Sequence, residues 1–237
     1  MELEAVCVDV AMCTRLLVEA GILGYSGHVS ARVGEREIVI QPVDDVRAEL
    51  APERLLVVDL DGSVTKGEGK PPSEVFIHTE IYRARPDVGS VAHFHHDRTT
   101  LFSMVEGLEL VPVKNHASRW SGGIPVHRDV SHIDSPAKGA ALAATTGDCH
   151  ATLLRAHGEV VLAESPRAVF VDALHLVENA EALSQGLLLG QVDRLSDEEI
   201  ASFLSTFRRE RHVEKVWKYY ATVAAHAGVL PETWLHA

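Results

Sequence analysis

Apolar positions recur at helical spacing near both ends of the chain and at strand spacing between them. Residues 2–20 place Val6, Val10, Leu16, Leu17 and Ala20 close to a helical repeat, and Gly21 offers a cap. Gly24–Ser30 reads as a Gly/Ser turn. Glu37–Gln41 and Arg54–Asp59 predict strands, and Asp61-Gly62 turns the second into Ser63–Lys66 as a hairpin. Ser73 is placed as the N-cap of a helix that runs to about Arg83, before Pro86.

A mostly apolar strand is expected over Gly89–His95, a helix over Thr99–Val105 and a strand over Glu109–Val113. Ser135–Thr145 predicts a helix with Pro136 at its first position. Ala151–Ala156 and Val160–Ala163 read as strands on either side of His157-Gly158, and Ser165-Pro166 opens a long helix to about Leu189. Ser196–Val229 is a last helical region. The order of elements predicts a sheet with helices on both faces.

Bulk properties narrow the class. The chain has 237 residues, 46% hydrophobic and 24% charged, enough for one sizeable core and one domain. The apolar runs Val160–Ala163 and Leu187–Leu189 are too short to span a bilayer. The start of the chain, with Glu2 and Glu4, lacks the order of a secretory signal, so a cytoplasmic protein with no membrane partner is expected. Cys7, Cys13 and Cys149 show no C-x-x-C spacing, and the adjacent Cys149-His150 is read as an inert thiol. A net charge of −12 argues against a nucleic-acid partner; Arg208, Arg209 and Arg211 are interrupted by Glu210 and read as a solvated helix face.

The count of 14 histidines directs attention to metal chemistry. His93-Phe94-His95 ends a predicted strand, where side chains two apart share a face and both imidazoles reach one ion. Alone, so short a motif favours a satisfied pair on a half-buried strand. Glu74 at a helix start, His96 beside the pair, and His157 at a turn whose Gly158 permits close approach change that balance.

Several strings together resemble the class II aldolase/adducin family. They are Gly27–Ser30, Val57–Gly62, Pro71–Tyr82 (PPSEVFIHTEIY), Arg85-Pro86-Asp87-Val88 and Val91–His95. Downstream stand His157-Gly158, Glu164-Ser165 and Glu178-Asn179-Ala180. The resemblance runs from about residue 5 to about residue 220 and implies an α/β fold, three-layer α/β/α with a mostly antiparallel central sheet. It implies one domain over 1–237, with a C-terminal helical region from about 196, and a homotetramer with active sites between subunits. It further implies one divalent ion per subunit held by His93, His95 and His157, with Glu74 at the acid/base position. Three imidazoles suit zinc first, then cobalt, manganese or iron.

Departures from the phosphosugar aldolases move the expected substrate. Where those relatives grip a phosphate, this chain reads Gly27-His28, Val43-Asp44 and Pro72-Ser73-Glu74. Proline removes a hydroxyl and an N–H donor, and acidic Asp44 or Asp45 repels a dianion. No tyrosine occurs in residues 96–135, where the aldolases place a proton donor. His116 is the candidate for that role. His28, Ser73, Arg119 and Tyr219 are the candidate substrate-binding residues, with Arg119 or Arg128 as a carboxylate clamp. Most of the polar stretch around Trp120 is expected to be surface loop, and Trp217, Tyr219 and Tyr220 to be core or subunit interface.

The expected activity is a metal-dependent carbon–carbon lyase. A decarboxylase of a small non-phosphorylated aromatic acid (dihydroxybenzoate- or dihydroxyphthalate-like), or of a ring-cleavage acid, is favoured. An aldolase on a hydroxy-keto substrate and a non-catalytic adducin-like scaffold are the alternatives.

Overall fold

A computed structural model describes residues 3–236. The expected helix start at residue 2 and the last residue of the C-terminal region lie outside the described residues. The first helix, α1, covers Leu3–Glu19; β1 (His28–Arg32), β2 (Glu37–Ile40), β3 (Leu56–Asp59) and β4 (Val64–Lys66) follow. Next come α2 (Val75–Ala84), β5 (Ser90–Phe94), α3 (Asp97–Met104) and β6 (Val126–His127). Then α4 (Pro136–Thr146), β7 (Ala151–Leu154) and β8 (Gly158–Ala163) precede α5 (Pro166–Leu189), α6 (Asp197–Thr206) and α7 (Arg209–His226).

The eight strands form one sheet in the order β4-β3-β2-β1-β5-β8-β7-β6, antiparallel at every pair except β6–β7. Period-two alternation divides its side chains between two cores. Val29, Ala31, Val39, Ala92, Phe94 and Val161 join one core with residues of α1, α5 and α7. Ile38, Ile40, Val58, Val91, Val160 and Leu162 join the other with Val75, Ile77 and Ile81 of α2 and Leu142 of α4. No helix among the described residues is long and apolar enough to cross a membrane.

Four expectations change. Gly24–Ser30 is a turn only in its first part: His28–Arg32 is a central strand with polar side chains on one face, a pattern its Gly/Ser content obscures. Glu109–Val113 is not a strand, because the Asn179 side chain takes its backbone groups. Asn179 Oδ1 accepts from the N–H groups of Val113 and Lys114, and its amide donates to the Val111 carbonyl. Ser73 is exposed and does not cap α2; Glu74 holds the cap position without a side-chain capping bond, and its carboxylate is used elsewhere. Arg209 is no solvated residue, since both its terminal nitrogens meet Asp172 at 2.8 Å.

Candidate metal centre

A polar seam runs between β1, β5 and α2 and ends in a cluster of imidazoles. In the β1–β5 register His28 lies opposite His93. On the same face of β1, Ser30 and Arg32 follow at period two, while Glu74, His78 and Tyr82 stand four apart along α2. The Ser30 hydroxyl lies 2.6 Å from His78 Nδ1 and 3.0 Å from the Tyr82 hydroxyl. His78 Nε2 in turn lies 2.6 Å from His28 Nδ1. Arg32 closes the far end by donating to the Tyr82 carbonyl at 2.6 Å. Every buried polar group in this line therefore has a partner, which is what makes a polar seam tolerable in a core.

At the open end, β5 presents His93, fully buried, whose Nδ1 donates to the Glu159 carbonyl at 2.9 Å. That bond orients the ring and turns Nε2 toward the other imidazoles. His95 lies just past the strand, with its Nε2 2.9 Å from His93 Nε2. His157 comes from the β7–β8 turn, where Ala156 adopts φ 54 and donates its N–H to the Ser103 hydroxyl. Glu74 Oε2 is 3.6 Å from both His93 Nε2 and His157 Nε2. The four donor atoms all lie within 4.8 Å of one another.

Glycines let the backbone close around this group. Gly27 has φ +100, and a Cβ there would meet the His93 carbonyl at 2.7 Å. A Cβ on Gly158 would stand 2.4 Å from the Phe94 carbonyl oxygen and 2.7 Å from His95 Cδ2. Gly158→Ala is expected to push the His95 ring aside, reduce bound metal and cost about 1–3 kcal/mol of stability, the usual range for overpacking. Metal analysis beside a thermal melt checks both effects; full metal content at an unchanged midpoint contradicts the packing argument.

The donor set fits a divalent transition ion. Three imidazoles with rings splayed by 52–78° beside a carboxylate offer separate in-plane lone pairs. Burial, with His93 and His157 as neighbours, pulls the His95 pKa down to about 4. Burial and His93 lower that of His157 as well. At neutral pH both stand in the neutral form that ligates. Burial alone would raise the Glu74 pKa, but the His93 contact and the Ile133 N–H outweigh it and bring it down to about 2. Glu74 is therefore ionised at neutral pH, able to ligate or to accept a hydrogen bond.

The remaining candidates fall in three places. His28 is buried beside the centre, with its ring 5.1 Å from that of His93, and is held neutral by burial and by His78 and His93. His132 lies 3.9 Å from Glu74 Oε1 and stacks on His157 at 5.9 Å. His116 instead stands in a second cluster with His175 and His212, where burial and those two neighbours lower its pKa to about 4. Arg119 is engaged within the chain, its Nε 2.7 Å from Asp172 and its NH2 nitrogen 3.5 Å from Glu164. Tyr219 is 64% exposed on α7, while Trp217 and Tyr220 pack on Phe170. Sequence reasoning missed His78, whose signal was its place one helical turn beyond Glu74.

The chain belongs to the class II aldolase and adducin N-terminal domain family, whose model matches residues 8–184. Among relatives, it is 28% identical over 179 residues to a 3,4-dihydroxyphthalate decarboxylase of Arthrobacter keyseri, covering 70% of this chain and 72% of that one. Among solved structures, an aldolase II superfamily protein from Pseudomonas syringae matches with a TM-score of 0.83 at 22% identity, over 97% of this chain and 96% of that one. An L-fuculose 1-phosphate aldolase from Glaciozyma antarctica PI12 matches with a TM-score of 0.80 at 18% identity, over 94% and 90%. Those two likenesses concern the fold.

Proposed function

We propose that this chain is a metal-dependent carbon–carbon lyase that removes carbon dioxide from a small, non-phosphorylated aromatic or ring-cleavage acid. The observation that carries the reading is the group of Glu74, His93, His95 and His157, its first two members buried, beside a first loop built for something other than phosphate. Where phosphosugar relatives carry an asparagine, His28 is buried and bonded to His78. Arg47, in the 3₁₀ turn after β2, directs Nε to the Gly27 carbonyl and one terminal nitrogen to those of Val43 and Asp45. Pro72 offers no donor at all. The decarboxylase relative supports loss of a carboxylate, and the substrate in its name supports a dihydroxyphthalate-like acid.

A divalent ion at this site, zinc first among the candidates, would supply Lewis acidity for the electrons of the bond that breaks. The chain's own residues do the rest. His93, His95 and His157 would hold the ion through ring nitrogens, and Glu74 would balance its charge. His132, an exposed imidazole stacked on His157, returns a proton to the carbon that loses carbon dioxide. This replaces His116 as the donor within one chain. The reading also carries a three-layer α/β/α arrangement, which the two separate cores support, and a homotetramer.

A panel of dihydroxybenzoic and phthalate-like acids, assayed for carbon dioxide and for aldehyde with zinc-loaded protein, tests the reaction. Carbon dioxide release from at least one acid is expected. Aldehyde release from a hydroxy-keto compound, with no acid decarboxylated, would replace this reading by the aldolase one.

A further inference from the structure

A second set of metal donors lies outside the centre described above. His116 sits in the 3₁₀ turn Asn115–Trp120, His175 on α5 and His212 on α7. One ring nitrogen from each lies within 4.8 Å of the other two.

One feature repeats what the first centre shows. There, His93 Nε2 faces another Nε2 at 2.9 Å. Here, His175 Nδ1 is buried without a hydrogen bond, 3.5 Å from the Glu178 carboxylate that Lys114 Nζ holds at 2.8 Å. His175 Nε2 then faces His212 Nε2, again at 2.9 Å. A carboxylate behind an imidazole orients the ring and raises the basicity of its other nitrogen, the usual support of a metal-ligating histidine. Two facing imidazole nitrogens share one proton, or give it up around a cation.

His116 lies across this pair, its ring 4.5 Å from that of His175 and 4.3 Å from that of His212, tilted by 18° and 23°. Stacked rings do not aim their lone pairs at one point, so His116 must turn about χ2 to ligate. The space for that turn exists: a pocket of about 200 Å³ is lined by the three histidines together with Phe203 and Phe207. Arg119 and Arg209 border the same pocket, and Asp172 with Glu164 neutralises both.

We propose that this pocket binds a second divalent transition ion of the zinc type through His116, His175 and His212. Three imidazoles with water in the remaining position suit zinc or cobalt. Bound there, the ion ties α5, α7 and the 3₁₀ turn together.

Equilibrium dialysis of chelator-stripped full-length chain against micromolar Zn²⁺, followed by elemental analysis, tests this directly. Wild type is expected to hold two ions per chain, His95→Ala one, His212→Gln one, and the double variant none. In the His95→Ala background, Zn²⁺ should still raise the melting temperature, and His212→Gln should abolish that rise. His116→Gln, on the partly exposed turn, keeps the test open if the helix substitution unfolds the chain, with circular dichroism as the check. A wild type that holds one ion, or two ions retained in both His212→Gln and His116→Gln, overturns the proposal. Failure of the first centre is separately visible as an unchanged count in His95→Ala.

Discussion

His95→Ala is expected to strip the ion from the first centre and lower turnover by about three powers of ten. A Lewis-acid ion is worth several kcal/mol of transition-state stabilisation, and each 1.36 kcal/mol is a factor of ten. His95 is the ligand to test because of where it sits. His93 is fully buried in β5, and its Nδ1 bond to the Glu159 carbonyl helps to join β5 to β8. Its removal would unsettle the sheet as well as the site. His95 follows the strand and is half-buried, so alanine there removes a donor while the pairing of β5 with β1 and β8 stands. A far-ultraviolet spectrum like that of wild type, lost metal at the first centre and collapsed turnover form the expected triple. Wild-type turnover in a protein shown to lack that ion would sink the metal reading. Preserved metal with lost turnover would instead make His95 a substrate contact.

How far the site could be read from sequence depends on the range of the forces that build it. The His93/His95 pair is a local matter: period two on a strand puts both rings on one face, and no distant contact is needed to see it. Glu74 and His157 were placed by motif, at a helix start and a hairpin turn. His78 was equally local in principle, four residues after Glu74. It was passed over because a histidine inside an amphipathic helix reads as ordinary core. The β1 strand was hidden because its buried face is polar, satisfied by α2 residues some fifty positions away. Hydrophobic periodicity cannot report such a face. Glu109–Val113 failed the other way, since an alternating apolar stretch lost its backbone donors to Asn179 on a distant helix. His116 looked like a donor to the first centre and found partners on α5 and α7, a placement only tertiary packing decides.

Asp172→Ala is expected to be the costliest surface-remote change in stability, at about 3 kcal/mol. The Asp172 side chain is 3% exposed and takes two hydrogen bonds from Arg209 at 2.8 Å. Arg119 Nε also stands 2.7 Å away, close but out of line for a hydrogen bond. Burial alone would lower the Arg209 pKa; Asp172 and Glu164 reverse that and raise it. Alanine at 172 leaves two guanidinium groups half-desolvated over one remaining carboxylate. Breaking a buried pair costs about 3–5 kcal/mol because of the charge left behind. The low end applies, since Arg209 keeps its bonds to Glu164 at 2.8 and 3.0 Å. For a chain of this length about 3 kcal/mol lowers the melting temperature by roughly 6–12 °C. Asp61 is the control: it meets Arg36 at 3.1 Å and Arg83 at 2.9 Å, but in the open. Its alanine variant should leave the midpoint essentially unmoved, because solvent already screens both partners. Equal shifts in the two variants would show that charge pairing, wherever it lies, sets stability here, and that the joint of α5, α7 and the 3₁₀ turn is not specially dependent on Asp172.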